Sequence, residues 1–130
     1  MQAVGYGAYQ KVQAETSSPG ELVVLLYDAL LKNLRRAVAA LEAGESERVN
    51  EALTRAQDIT LELRAGLDAD AELAQELSPL YTFLFRSLVE ANVTKDAGLV
   101  LKLHEIIAPM RDAWVFAVRG GTPSTGVSGG

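Results

Sequence analysis

The sequence SPGELVVLLYDALLKNLRRAVAAL occupies residues 18–41 and has the pattern of a long amphipathic helix. Ser18 is a favoured N-cap residue, Pro19 suits the first helical position because it has no N–H to leave unpaired, and Glu21 has the capping-box spacing. Apolar residues at steps of three and four share one face, namely Val23, Leu26, Leu30, Leu34, Ala37 and Leu41. Further apolar side chains lie outside that face: Leu22, Val24, Tyr27, Leu31 and Val38. Such a helix must be covered on more than one side.

Three further amphipathic helices are predicted downstream of Gly44, a glycine of the kind that ends a helix in a left-handed conformation. The second extends from Ser46, its expected N-cap, to about Ala65, and its core face consists of Val49, Leu53, Ala56, Ile59 and Leu63. The third would be capped by Asp70 and end near Asn92, with Leu73, Leu77, Leu80, Leu84, Leu88 and Ala91 as its core face. The fourth would be capped by Asp96 and end near Val118, with an inward row of Leu99, Leu103, Ile106, Met110, Ala113 and Ala117 and a second apolar row of Val100, Ile107, Trp114 and Val118.

Two prolines fall inside these helical patterns, and each removes a hydrogen bond and clashes with the preceding turn. At Pro79 we expect either a kink or a short helix that ends near Leu77, followed by a new one capped by Ser78. Pro109 is a second candidate kink.

Short loops between the four helices predict an all-α fold, an antiparallel four-helix bundle over residues 18–119. Residues 1–17 are expected to form a mobile N-terminal arm. It is either a frayed tail or, since Tyr6, Tyr9 and Val12 would share one face, a short extra helix that folds back onto the bundle or a partner. Residues 120–130 are rich in Gly and Ser and are predicted to be a disordered tail.

Composition excludes several classes of function. The chain is 48% apolar and 22% charged, which is typical of a soluble globular domain, and it has no run long enough for a transmembrane helix. The N-terminus lacks the basic start and apolar block of a secretory signal, and the absence of cysteine fits a cytoplasmic location. A net charge of −5 with scattered Lys and Arg disfavours nucleic acid and anionic membrane surfaces as partners.

No catalytic constellation is evident, so we predict a protein that is not an enzyme and needs no cofactor or metal. The single histidine, His104, has no nucleophile signature beside it, and Glu105 follows it directly. A di-metal bundle would need Glu-x-x-His pairs, but Leu101 stands three residues before His104. Asp68, Asp70 and Glu72 begin like a calcium loop, but the turn glycine and the bidentate glutamate of such a loop are absent. The remaining signal is the excess apolar helix surface, which either closes a small core or forms a groove for an amphipathic segment.

An ordered set of short blocks resembles one known family. The blocks are Tyr6 and Tyr9, SSPGELVVLLYD at 17–28, AQDITLEL at 56–63 with LD at 67–68, LSPLYTFL at 77–84, LVEAN at 88–92, KD at 95–96 and MRDAW at 110–114. In this order and spacing, the blocks resemble the flagellar secretion chaperone family FliS over about residues 6–118. Three positions depart from the family pattern: Ala29 follows the LYD block where the family usually has Gly, and Pro79 and Pro109 are unexpected in these helices.

The resemblance implies a cytosolic chaperone with an antiparallel helical bundle. Its partner would be the disordered C-terminal region of flagellin, which it protects from premature polymerisation and delivers to the flagellar type III export apparatus, a second expected partner. We expect the apolar contacts with this client to come from Tyr6, Tyr9, Tyr27, Leu31, Ile59, Leu63, Tyr81, Phe85, Leu88 and Ile107. Tyr6 and Tyr9 would occupy part of the groove until the client displaces them, and Asp28 would pair with a nearby base.

Two other functions remain open at this point. One is a signalling bundle in which His104 accepts a phosphoryl group, and the other is a generic helical adaptor for a different partner.

Overall fold

The computed structural model describes residues 18–67 and 72–120, so the predictions for Tyr6, Tyr9 and the Asp70 cap lie outside the described residues. Four helices follow one another: α1 Pro19–Glu42, α2 Ser46–Ala65, α3 Glu72–Thr94 and α4 Ala97–Val118. Within the described ranges there is no strand. The all-α prediction is confirmed.

Local hydrogen bonds fix the helix ends, and the sequence predicts most of them. The Ser18 hydroxyl accepts the Glu21 N–H (3.2 Å), and the Asp96 carboxylate accepts the Leu99 N–H (3.1 Å), so both predicted caps are confirmed. Gly44 has φ +71°, and the Glu45 N–H reaches back to the Ala40 carbonyl at 2.9 Å. This closure is a Schellman motif and ends α1 as predicted.

The start of α2 differs from its prediction by one residue. Ser46 is the first helical residue, and the N-cap position is held by Glu45, whose side chain makes no capping hydrogen bond. The reason is the turn before it. The backbone of Glu45 is already engaged in closing α1, which leaves Ser46 inside the helix and without the extended backbone of a cap.

Both prolines lie within unbroken helices, so the predicted break at Ser78 is wrong. Pro79 and Pro109 are exposed, as are Gln75 and Glu105, whose carbonyls lose their intrahelical donors. Those carbonyls therefore lie on the solvent side, where water can replace the missing N–H.

The helices form a four-membered ring in which α1 packs against α2 and α4, and α2 also packs against α3. The α3–α4 pair is much the least closely packed of the four neighbouring pairs, although only residues 95 and 96 separate these helices. The α1–α2 seam and the α3–α4 seam consequently lie on opposite faces of the bundle.

The core combines predicted and unpredicted rows. The α2 row is buried as expected, and so are Leu26, Leu30, Leu34 and Ala37 of α1. In α3 the exposed Leu73 is replaced in the core by Ala74. In α4 the core takes Leu103 from the expected inward row and Val100 and Ile107 from the second row, whereas Ala113 and Ala117 of the inward row are exposed.

Candidate functional site

Most residues predicted to contact a partner lie inside the bundle. Tyr27 and Tyr81 are fully buried, and the same core contains Leu31, Ile59, Leu63, Leu88 and Ile107. In this conformation they lie beneath the surface, and their contact with a client stays a prediction. Phe85 alone among the described predictions is partly exposed.

The two buried tyrosines form a polar pair inside the apolar core. Their hydroxyl oxygens are 2.6 Å apart, and the Trp114 indole lies beside the Tyr27 hydroxyl. Burial raises the pKa of both phenols above the ordinary tyrosine value of 10.0. Because all buried polar atoms of the pair have partners, the pair holds α1, α3 and α4 in one arrangement.

Two contacts across the α1–α4 seam fix the rotation of α4. The Arg111 Nε donates to the Asp28 carboxylate at 2.8 Å, which confirms the expectation that Asp28 pairs with a base, and this carboxylate raises the pKa of Arg111. Two helical turns away, Arg35 Nη1 lies 3.4 Å from His104 Nε2. The α4 flank that carries His104 and Arg111 therefore faces α1.

The turn between α3 and α4 is organised by Asn92. Its amide donates to Asn50 of α2 (2.7 Å), while Lys95 Nζ donates to both the backbone and the side-chain oxygen of Asn92, each at 2.7 Å. Lys95 has φ +54°, a strained conformation for a residue with a side chain. The two hydrogen bonds from Lys95 Nζ to Asn92 hold Lys95 in this conformation.

The open seam lies between the flank of α3 that faces away from α2 and the flank of α4 that faces away from α1. On α3, Thr82 and Asn92 bond to α2, so helical phase places Leu80 and Phe83 on the flank that faces α4. On α4, the flank away from His104 and Arg111 carries Ile106, Met110, Ala113 and Ala117.

Antiparallel helices joined at residues 95–96 bring Leu80 and Phe83 level with Ile106 and Met110. Phe83 is 50% exposed, Leu80, Ile106 and Met110 are only partly buried, and Ala113 is exposed. We define these five residues as the α3–α4 apolar seam. A loosely packed, exposed apolar strip of this kind suits an amphipathic segment of another chain.

The sequence pattern contained this seam but misassigned it. Ile106, Met110 and Ala113 were expected to face the core because they continue a regular three–four spacing. In the structure Leu103 of that row is buried together with Val100 and Ile107 of the second row, Ile106 and Met110 pack against the core from its edge, and Ala113 is exposed.

The described residues contain little that resembles a catalytic or metal site. Within residues 18–67 and 72–120, no group of three or more His, Cys, Asp or Glu side chains is placed to hold a metal ion. His104 is partly buried, and its Nε2 is taken up by Arg35. None of the described helices is long and apolar enough to cross a bilayer.

Comparison with known proteins decides the family. The family model described as flagellar protein FliS matches residues 1–120. The chain is a member of the FliS family. It is 37% identical over 125 residues to the flagellar secretion chaperone FliS of Bacillus subtilis, covering 96% of this chain and 94% of that protein. The proteins of the same name from Salmonella typhimurium and Escherichia coli are 34% and 30% identical over 119 residues, covering 86% of this chain and 88% of each relative.

Membership in the FliS family gives the recognised blocks a structural meaning. The LYD block supplies Tyr27 and Asp28, and the MRDAW block supplies their partners Arg111 and Trp114. The LVEAN and KD blocks supply Asn92 and the turn that it holds. Ala29, where the family usually has Gly, packs against the core from within α1. These blocks build the scaffold on which the α3–α4 apolar seam is exposed.

Proposed function

We propose that this chain is a cytosolic export chaperone that binds the disordered C-terminal region of flagellin, prevents its premature polymerisation and supports its delivery to the flagellar type III export apparatus. FliS-family membership supports the chaperone role. The α3–α4 apolar seam is the structural observation that supports binding of an apolar, helix-forming client.

The physical basis is the burial of apolar faces on the client. A disordered segment with apolar faces associates with other copies of itself unless those faces are covered. Ordering such a segment costs about 2–5 kcal/mol, so a stable complex needs a long interface that recovers this cost through apolar burial. The seam supplies a strip along α3 and α4, into which the client would insert the apolar face of a helix.

Calorimetric titration with a peptide from the C-terminal region of a cognate flagellin tests this function. We expect binding with a strongly negative heat-capacity change and a gain of helical circular dichroism, because apolar surface is buried as the peptide orders. The absence of binding at tens of micromolar would contradict the flagellin assignment and leave a helical adaptor for another partner.

The seam itself is tested by two matched substitutions on exposed phenylalanines. Phe83→Glu places a charge in the seam, whereas Phe116→Glu places one on the outer face of α4. The two native side chains are similarly exposed, Phe83 at 50% and Phe116 at 40%. We expect Phe83→Glu to weaken peptide binding by about tenfold or more and Phe116→Glu to change it less than about twofold, since only the first charge would be buried by the client. Equal effects of the two variants would place the client elsewhere.

The phosphotransfer alternative makes a separate prediction. A phosphoryl group on His104 would be acid-labile and would be lost in a His104→Gln variant. Incubation with a small phosphoryl donor, followed by intact-mass measurement at neutral and acidic pH, detects it. For a secretion chaperone we expect no such mass increase.

A further inference from the structure

The face of the bundle opposite the α3–α4 apolar seam contains a second groove, between α1 and α2. It has a volume of about 620 Å³ and lies along the last turns of α1 and the first turns of α2. Its walls include four alanines, namely Ala39, Ala40, Ala43 and Ala52. Small side chains on both helices allow the backbone of another chain to approach closely.

Charged side chains, most of them arginines, are concentrated in this groove, although the chain as a whole is acidic. It is lined by Arg36, Arg48 and Arg55 and by Glu45 and Glu51. Arg48 lies 3.7 Å from Glu45, but neither Arg36 nor Arg55 has a carboxylate within ion-pair distance among the described residues. The i,i+4 spacing of Glu51 and Arg55 would favour a pair that the structure does not form. Two guanidinium groups are thus free to take up carboxylates in the forked geometry that arginine favours.

One polar feature points to a ligand independently of these arginines. Asn33, only 7% exposed, lines the groove, and its amide nitrogen donates to the Ala29 carbonyl at 2.8 Å. Its side-chain oxygen is the buried polar side-chain atom that has no hydrogen-bond partner within the described part of the chain.

We propose that the α1–α2 groove is a docking site for an acidic, extended segment of a second protein partner. Carboxylates of the segment would pair with Arg36 and Arg55. Its backbone would rest on the alanines, and a small rotation of Asn33 would offer its oxygen to a backbone N–H. The inference does not rest on the proposed function. Because the two surfaces lie on opposite faces, the chaperone would hold an apolar client and an acidic partner at the same time.

Fluorescence anisotropy on the full chain tests the site with a labelled decapeptide of Glu and Ala. Controls are the same peptide with Gln in place of Glu and a single-stranded DNA decamer. We expect the acidic peptide to bind with a dissociation constant below about 1 mM at low salt and to weaken as salt is added, while the neutral peptide does not bind. Failure of the acidic peptide to bind, or equally tight binding of the DNA, would overturn the proposal.

Matched variants then locate the binding. Arg36→Glu with Arg55→Glu reverses the charge of two side chains that line the groove. Arg86→Glu with Lys102→Glu makes the same change in net charge at exposed positions of α3 and α4. We expect the first pair to weaken acidic-peptide binding about tenfold and the second to change it less than about twofold, because only the first removes local contacts. Equal losses would show general electrostatic attraction and overturn the site.

A steric variant leaves every charge in place. Ala39→Trp, at an exposed position on the groove wall, should fill the groove and abolish acidic-peptide binding while the thermal midpoint stays near that of the unmodified chain. Undiminished binding by a folded Ala39→Trp variant would contradict docking in the groove. Binding of the flagellin peptide should be the same in the groove variants Arg36→Glu/Arg55→Glu and Ala39→Trp as in the unmodified chain, which separates this proposal from the proposed function.

Discussion

The hydroxyl of Tyr27 lies 2.6 Å from that of Tyr81, in the middle of an apolar core and 54 residues away along the chain. The two residues belong to α1 and α3, which are diagonal in the ring and do not pack directly against one another. The pair therefore spans the bundle, and its hydrogen bond requires one relative height of these two helices. A buried polar pair of this kind specifies an arrangement that apolar packing alone leaves less sharply defined.

Tyr27→Phe should destabilise the bundle more than Tyr81→Phe. Loss of the Tyr27 hydroxyl leaves the Tyr81 hydroxyl without its partner and removes the polar neighbour of the Trp114 indole, whereas loss of the Tyr81 hydroxyl leaves the Tyr27 hydroxyl beside Trp114. Leaving a buried polar group unsatisfied costs about 1–3 kcal/mol. Urea denaturation followed by the fluorescence of the single tryptophan measures both changes.

The double variant completes this cycle. With both hydroxyls removed, no phenol is left unsatisfied, so the combined loss should be smaller than the sum of the two single losses. Strict additivity would contradict a direct bond between the two hydroxyls. The unchanged core volume of a Tyr-to-Phe replacement makes the cycle insensitive to packing.

Alkaline pH should weaken the fold through the same pair. The pKa of each phenol is raised in the folded state, mainly by burial, above its ordinary value of 10.0. Below pH 10 both states are protonated and this contribution is flat. Above it the unfolded chain loses the proton first, so the free energy of unfolding falls by up to about 1.4 kcal/mol per pH unit for each phenol.

Comparison with the double Phe variant isolates this effect from other groups that titrate in the same range. We expect the difference in denaturation midpoint between the two proteins to be constant from pH 7 to about pH 9.5 and to shift in favour of the double variant above pH 10. A constant difference up to pH 11 would argue that the tyrosines are not buried in solution.

The local features of this fold could be predicted from the sequence, because each rests on a few neighbouring residues. Ser18 with Glu21, Asp96 with Leu99, and Gly44 all act within one helical turn. The break expected at Pro79 failed because exposure of the preceding turn, a tertiary property, decides whether the lost hydrogen bond can be replaced by water.

The rotation of α4 and the position of the seam could not be predicted in the same way. Apolar residues occupy two rows of α4, and periodicity alone gives no reason to prefer either. The choice is made by Asp28, 83 residues away from Arg111, and by the Tyr27 contact of Trp114. Most of the described residues that were predicted to contact the client are buried in the core, because apolar character does not distinguish a core residue from a groove residue.

Two glycines at helix ends should respond oppositely to alanine. Gly44 has φ +71°, where a Cβ is strained, and Gly66 has φ −80°, with its nearest atoms at ordinary contact distances. Gly44→Ala should lower the free energy of unfolding by about 1 kcal/mol, and Gly66→Ala should leave it unchanged or raise it by about 0.4–1 kcal/mol. Thermal denaturation of both variants provides the comparison, and a destabilised Gly66→Ala would contradict the assigned turn geometry.

Asn92 should contribute more to stability than its partner Asn50. Asn92→Ala removes the bond to Asn50 and one of the two bonds that hold Lys95 at positive φ, whereas Asn50→Ala removes only the first. We expect a loss of about 1–2 kcal/mol for Asn92→Ala and about half as much for Asn50→Ala, at the usual net value of a hydrogen bond. Equal losses in urea denaturation would show that Lys95 adds nothing to the turn.

Removal of residues 1–17 should strengthen binding of the flagellin peptide, a prediction that rests on the proposed function. The segment joins the bundle at Ser18, beside the first turn of α1, where a Cβ on Gly20 would lie 2.9 Å from Val118 Cγ2 at the end of α4. Tyr9 and Tyr6 are nine and twelve residues from Ser18, which extended chain spans in about 30 and 40 Å. The helices are about 30–36 Å long, so both tyrosines can reach the α3–α4 apolar seam. A client that must displace them binds more weakly by the free energy of that contact.

Calorimetry on three proteins separates this competition from an effect of chain length. The truncated chain and a full-length Tyr6→Ala/Tyr9→Ala variant should bind the peptide more tightly than the unmodified chain by a similar factor. Their thermal midpoints should stay close to that of the unmodified chain, because the helical core begins after the deleted residues. If neither change alters the affinity, the two tyrosines do not occupy the α3–α4 apolar seam. If only the truncation alters it, residues of the arm other than the tyrosines are responsible.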